Sequence, residues 1–185
     1  MSHDPATSDA LSAAARVAVV VGNPRPDSRT LAAAQHVARE LTGLAPSLVV
    51  DLATLGPALL DWHDPQVAAL VQELGEADLV VVASPTYKAT YTGLLKLFLD
   101  RFAGGTGLRG VAVPVMLGAG LQHALAVEHS LRPLLTELGG TVPVPGLYVL
   151  DGEYDEPSAY AAWLDAARGP VRALLEARSL AEVAS

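Results

Sequence analysis

Residues 16–22 read R-V-A-V-V-V-G and residues 78–84 read D-L-V-V-V-A-S. Each is a short, largely β-branched run with no polar alternation, the pattern of a strand buried on both faces of a parallel sheet. A helix follows each. After the first run, Ser28 or Asp27 is placed to cap a helix with Leu31, Ala34, Ala38 and Leu41 on one face. After the second comes a helix over Gly93 to Phe102. Between them lie a short strand, Leu48 to Asp51, and an amphipathic helix in which Val67, Leu70, Val71 and Leu74 recur at i, i+3, i+4 and i+7 before Gly75. Downstream, Val111 to Leu117 reads as the fourth strand. The next helix is lined by Ala124, Val127, Leu131, Leu134 and Leu138 and ends at Gly139-Gly140. Val142 to Leu150 reads as the fifth strand, and a last helix starts near Glu156, with Gly169-Pro170 expected to break or kink it. Five βα units predict an α/β protein with an open, doubly wound parallel sheet, taken here as five-stranded in the order 2-1-3-4-5. In that order the sheet reverses between strands one and three, so the functional crevice is expected where the loops after those two strands meet.

Composition narrows the function. The chain has 185 residues, enough for one domain over 16–185 behind a tail, 1–15, expected to be disordered. At 51% hydrophobic residues the bulk is too apolar to remain unfolded. Twelve Lys and Arg against twenty Asp and Glu give a net charge of −8, which argues against nucleic-acid partners and against a polybasic membrane-surface protein. With no cysteine, disulfide scaffolds, thiol nucleophiles and Cys-based zinc sites are excluded. The longest apolar run, Val111 to Leu121, is interrupted by Pro114, Gly118 and Gly120 and is too short to span a membrane. Met1 to Ala10 carries Asp4 and Asp9 but no Lys or Arg, unlike a secretory signal, so a cytoplasmic location is expected.

The two loops at the expected crevice are unusually decorated. Gly22 to Thr30 reads G-N-P-R-P-D-S-R-T, placing Asn23, Arg25, Ser28, Arg29 and Thr30 beside a helix N-terminus, where unpaired N–H groups and the helix dipole favour an anion. The plain alternative is a capped helix with solvated arginines; position and composition together favour phosphate. Ser84 to Gly93 reads S-P-T-Y-K-A-T-Y-T-G. Here Tyr87 and Tyr91 can contact a flat ring while Thr86, Thr90 and backbone amides bond its heteroatoms. Lys88 and Lys96 are the only lysines in the chain. Taken alone, Lys88 reads as an ordinary exposed lysine; near a flavin it would favour the reduced, anionic ring.

Other motifs carry less. Gly105 to Gly110 matches G-x-G-x-x-G but precedes a strand, the wrong order for a dinucleotide site, and reads as a flexible loop. Gly118 to His123 follows a strand and reads as a third rim loop, which His123 is placed to hydrogen-bond. His129 reads as a helix-face or subunit-contact residue and His36 as solvated. Asp61-Trp62-His63-Asp64 reads as a surface turn, not a metal site. Neither a Walker lysine loop nor a G-x-S-x-G elbow is present.

On these residues the chain resembles the NAD(P)H-dependent FMN reductases of the flavodoxin-like superfamily, most of all those that feed reduced flavin to two-component alkanesulfonate monooxygenases. A first family motif, G-S-P-R-x-x-S-R, is met by Gly22, Pro24, Arg25, Ser28 and Arg29, with Asn23 replacing Ser. A second, P-x-Y-K-x-S/T-Y-x-G-x-L-K, is met by Pro85, Tyr87, Lys88, Thr90, Tyr91, Gly93, Leu95 and Lys96. A third, near G-G-S-x-x-H-x-L, is met only by Gly118, His123 and Leu125, with Ala119 and Gly120 replacing Gly-Ser. The resemblance implies FMN phosphate on Asn23, Arg25, Ser28, Arg29 and Thr30, and the isoalloxazine against Pro85, Thr86, Tyr87, Lys88, Ala89, Thr90 and Tyr91. It puts Gly118, Ala119, Gly120 and Gln122 at the ring edge. It further implies hydride transfer from NADPH or NADH to flavin N5 with no catalytic side chain and no metal, and a flavin-dependent monooxygenase as partner. An FMN-retaining quinone, azo or chromate reductase is the nearest alternative, and a flavodoxin-type electron carrier is an alternative of another class. The helix over Gly93 to Phe102 is apolar beyond one stripe, which suggests a homodimer or homotetramer interface.

Overall fold

The computed structural model describes residues 15–183, so the expected disordered tail lies outside them except for Ala15. Five parallel strands, β1 (Val17–Val21), β2 (Leu48–Asp51), β3 (Leu79–Pro85), β4 (Val111–Gly118) and β5 (Leu147–Leu150), form one sheet of order β2-β1-β3-β4-β5. The expected order and reversal are both present. Five helices cover it: α1 (Arg29–Thr42), α2 (Pro65–Gly75), α3 (Gly93–Leu99), α4 (Arg132–Glu137) and α5 (Ser158–Val183).

The alternation of the strands divides the interior in two. Val17, Val19, Val21, Val81 and Val113 point one way, into a cluster with Val37 and Leu41 of α1 and Leu164 and Val171 of α5. Ala18, Val20, Val80, Val82 and Met116 point the other way, against Leu74, Leu95, Phe98 and Leu135. Every residue of β1, β3 and β4 is buried, which is why those runs show no polar alternation.

Several boundaries differ from the sequence expectation. The fifth strand starts at Leu147, not Val142, because Pro143 and Pro145 cannot donate to a ladder; only Thr141 bridges Val111 before them. The same gap explains Pro114 in a central strand. The Ala112 N–H bonds Thr141 O, so residue 114 faces the same side, and pairing with β5 begins only at Val115. After β4 the chain makes a turn at Leu121–His123 and a wide i→i+5 turn at Val127–Leu131 before α4. Val127, Leu131 and Leu138 are buried as expected, but between the last two Leu135 is fully buried and Leu134 only partly, i+4 rather than i+3 from Leu131. Helix α3 ends at Leu99, three residues early, and Leu95, Phe98, Leu99 and Phe102 are buried in the chain's own core. Only Leu94 and Leu97 of that apolar set are partly exposed.

Helix α5 runs on through Gly169-Pro170, so the break that was one of the two outcomes expected there does not occur. Gly169, Pro170 and Ala166, the residue whose carbonyl would have received the missing N–H, are all exposed, so water can satisfy that carbonyl. On the opposite side Tyr160, Leu164, Ala167, Val171 and Leu175 form one buried stripe across the proline. Packing overrides the local breaker.

The Gly105 to Gly110 loop is tied rather than loose, with the Leu108 N–H bonded to Leu138 O and the Arg109 N–H to Gly75 O. Residues 61–64 form the expected surface turn: Asp64 caps α2, and the Arg101 guanidinium lies 5.1 Å from the Trp62 ring centroid. His36 is not simply solvated; it meets Tyr160 edge-on with centroids 4.6 Å apart. No described helix is long and apolar enough to cross a membrane.

Candidate functional site

The first turn is shaped before any ligand is considered. Asn23 Oδ1 accepts the Arg25 N–H at 2.9 Å, and Asn23 Nδ2 donates to Thr30 Oγ1 at 3.0 Å. Asp27 adopts a left-handed backbone (φ 52), held by its N–H to Asp51 Oδ2 at 3.0 Å. Ser28, not Asp27, caps α1, its Oγ accepting the Leu31 N–H at 3.2 Å. Among the described residues, the N–H groups of Arg29 and Thr30 have no acceptor, as expected in the first turn of a helix.

The second turn is a tight hairpin. Tyr87 and Thr90 pair across it, and both central residues are left-handed, Lys88 at φ 54 and Ala89 at φ 66. This is a type I′ turn made without glycine, which costs about 1 kcal/mol or more at each residue. Such strain persists because the surroundings fix both ends. Ser84 Oγ accepts the Thr92 N–H, and Thr92 Oγ1 donates to Gly22 O at 2.5 Å while accepting the Leu95 N–H. Thr92 therefore caps α3 and staples the second turn to the first. Gly22 is required here: a Cβ would lie 2.3 Å from Leu95 Cβ.

Together the turns enclose a cleft of about 400 Å³ lined by Asn23, Arg25, Pro26, Asp27, Ser28, Arg29, Thr30, Pro85, Tyr87 and Asp151. All five first-turn candidates thus line one space, joined by Pro85 and Tyr87 of the second turn. Thr86, Lys88, Ala89, Thr90, Tyr91 and the rim residues Gly118, Ala119, Gly120 and Gln122 are not among its walls. The rim loop still adjoins the second turn, since the Thr86 N–H bonds Leu117 O at 2.6 Å. His123 touches that loop through its backbone, its N–H reaching Gly120 O at 3.4 Å. Lys96 is committed elsewhere: it pairs with Asp100, which raises its pKa.

The two arginines differ. Arg25 is exposed, with no side-chain partner among the described residues. Arg29 is braced by a bond from Nη1 to Asp151 O at 3.3 Å, and its guanidinium lies 5.6 Å from the Tyr154 ring centroid. Thr30 is buried, and its hydroxyl accepts from Asn23, so it supports the turn as well as lining the cleft. Asp151 and Tyr154 escaped the sequence reading because they follow β5, away from the reversal. The signal that they end a strand at the same edge of the sheet was present.

A model of the NADPH-dependent FMN reductase family matches residues 15–155. The chain belongs to that family. Among curated reductases of this kind, an FMN reductase (NADPH) of Pseudomonas aeruginosa is 35% identical over 147 residues, covering 75% of this chain and 78% of that protein. An FMN reductase (NADPH) of Escherichia coli is 30% identical over 142 residues, covering 75% and 74%. The NADH-dependent FMN reductase SfnF of Pseudomonas fluorescens is 34% identical over 146 residues, covering 75% and 77%. The crystal structure of an NADH:FMN oxidoreductase in its apo form superimposes with a TM-score of 0.75 at 28% identity, covering 84% of this reductase-family chain and 87% of that one. The flavodoxin-like fold and the family resemblance are thereby confirmed.

Proposed function

We propose that this protein is an NAD(P)H-dependent FMN reductase whose 400 Å³ cleft takes the flavin phosphate. The observation that carries the reading is the donor set converging there. Arg25 and Arg29 supply charge, Asn23 and the Ser28 hydroxyl supply neutral donors, and the N–H groups of Arg29 and Thr30 have no acceptor among the described residues. Such a set suits a phosphate monoester, and family membership names the flavin. Pro85, Thr86, Tyr87, Lys88, Ala89, Thr90 and Tyr91 are assigned to the isoalloxazine, and Gly118, Ala119, Gly120 and Gln122 to its edge.

When bound, FMN supplies the hydride-accepting chemistry, and NADPH or NADH the hydride. The chain's own task is positioning. The strained hairpin holds Tyr87 at the mouth of the cleft, half-exposed at 51%. Thr92 fixes the spacing between the turns, and the anion site sets how far a phosphorylated ligand can slide. No acid–base or nucleophilic side chain is needed, and no group of three or more potential metal ligands occurs among the described residues. We also propose that reduced FMN passes to a flavin-dependent monooxygenase, that the chain works in the cytoplasm, and that Leu94 and Leu97 contribute to a subunit contact.

The test is steady-state oxidation of NADPH and of NADH with and without added FMN. Flavin-dependent turnover with at least one nicotinamide is expected; none with either refutes the proposal. A quinone added in parallel separates release of flavin from a retained-flavin quinone reductase.

A further inference from the structure

The phenol of Tyr148 sits in an unusual place. It rises from β5, beside Met116 in register, and its hydroxyl donates to Gly120 O at 2.8 Å. A Cβ at Gly118 would lie 2.1 Å from that hydroxyl oxygen and 3.0 Å from Cζ. Gly118 is therefore glycine because the phenol occupies the space its side chain would need. Thr86 Oγ1, buried and with no other partner among the described residues, faces the same phenol hydroxyl and would lie 3.2 Å from the same Cβ. The Thr86 N–H is tied to Leu117 O. One phenol thus touches the end of β4, the carbonyl of the rim loop and the flank of the second turn. No described bond from the rim loop's own side chains does this. Neither Gly118, Ala119 nor Gly120 has a polar side chain.

We infer that Tyr148 is a positioning residue that fixes the rim loop, Gly118 to Gly120, against the second turn at the ring end of the flavin site. The inference rests on the proposed FMN site, and its physical basis is simple. The loop's side chains offer no hydrogen bond of their own, and besides the long 3.4 Å contact from the His123 N–H the Gly120 carbonyl is held by the Tyr148 hydroxyl at 2.8 Å. The neighbouring Gly118 must stay bare to admit that donor. The ring end is then preorganised by β5, whereas the phosphate end is preorganised by α1 and Asp51. The two ends should respond separately to mutation.

The experiment uses the full chain and measures dissociation constants for FMN and for riboflavin, which lacks the phosphate, by quenching of flavin fluorescence. Tyr148→Phe removes only the hydroxyl; Gly118→Ala displaces the phenol while leaving it chemically intact. Each is expected to weaken FMN and riboflavin by the same factor, roughly three- to tenfold, as for one lost neutral hydrogen bond. The double variant should be no weaker than the weaker single, because both changes break one contact. Thermal unfolding, run in parallel, should show each variant folded. Unchanged flavin affinities in folded Tyr148→Phe, a loss confined to FMN, or additive losses in the double variant would overturn the inference. Failure of the unmodified protein to bind either flavin would instead overturn the proposed FMN site.

Discussion

Replacing Arg25 and Arg29 by alanine tests the anion site most directly. Arg25 has no side-chain partner among the described residues, so Arg25→Ala should cost little stability while removing one charge-assisted contact to phosphate. Such a contact contributes about 1.5–3 kcal/mol, or roughly ten- to 150-fold in FMN dissociation constant. Arg29→Ala removes a second contact of that class and also frees the Asp151 carbonyl and the Tyr154 ring. Its effect on affinity should equal or exceed that of Arg25→Ala. The double variant should lose at least about 3 kcal/mol, near 150-fold. Riboflavin provides the internal control, since neither guanidinium then has a phosphate to bind. Fluorescence titration of both flavins against the three variants, at low and at physiological salt, supplies the data. An FMN constant within twofold of the unmodified protein would refute the reasoning, as would an equal loss for riboflavin.

Three further outcomes follow from the packing. Thr92→Val keeps the side-chain shape but orphans the buried Gly22 carbonyl and removes the α3 cap. It should destabilise by about 2–3 kcal/mol in urea unfolding and weaken FMN binding; a change under 0.5 kcal/mol would contradict the staple. Pro170→Ala should stabilise by about 1–3 kcal/mol, because the proline lies on the exposed side of a helix interior whose opposite side is packed continuously past it; a lower melting temperature would show the ring is needed. Burial, reinforced by the Asp155 carboxylate, pushes the Tyr160 hydroxyl up to about 12. The folded state therefore keeps this proton above pH 10, where the unfolded chain loses it, so stability should fall between about pH 10 and 12 by up to about 2 kcal/mol. Tyr160→Phe should flatten that part of the pH profile, and an unaltered slope would contradict the assignment.

Much of this molecule is written locally. The β-branched runs at 17–21 and 79–83 specify buried strands, Ser28 specifies a helix start, and the repeat of βα units specifies a parallel, doubly wound sheet. Two turns rich in Arg, Ser, Thr and Tyr then fall at the reversal, so the cleft's main walls were readable from residue type and position. Local signals failed where packing outweighed them. Pro170 should stop a helix, yet a buried stripe from Tyr160 to Leu175 carries α5 past it. The apolar α3 invites an interface, yet three of its five large apolar residues, with Phe102 just beyond it, fill the chain's own core.

The amino-acid order alone determined the fold, the family and the two turns, because periodicity, capping and turn chemistry act over a few residues. Tertiary structure alone decided how those turns are held. Asp51 steadies Asp27 across 24 positions, Tyr148 reaches Gly120 across 28, and Asp151 braces Arg29 across 122. Those partners are neighbours only because the strands pack in the order β2-β1-β3-β4-β5, which brings distant strand ends to one edge of the sheet.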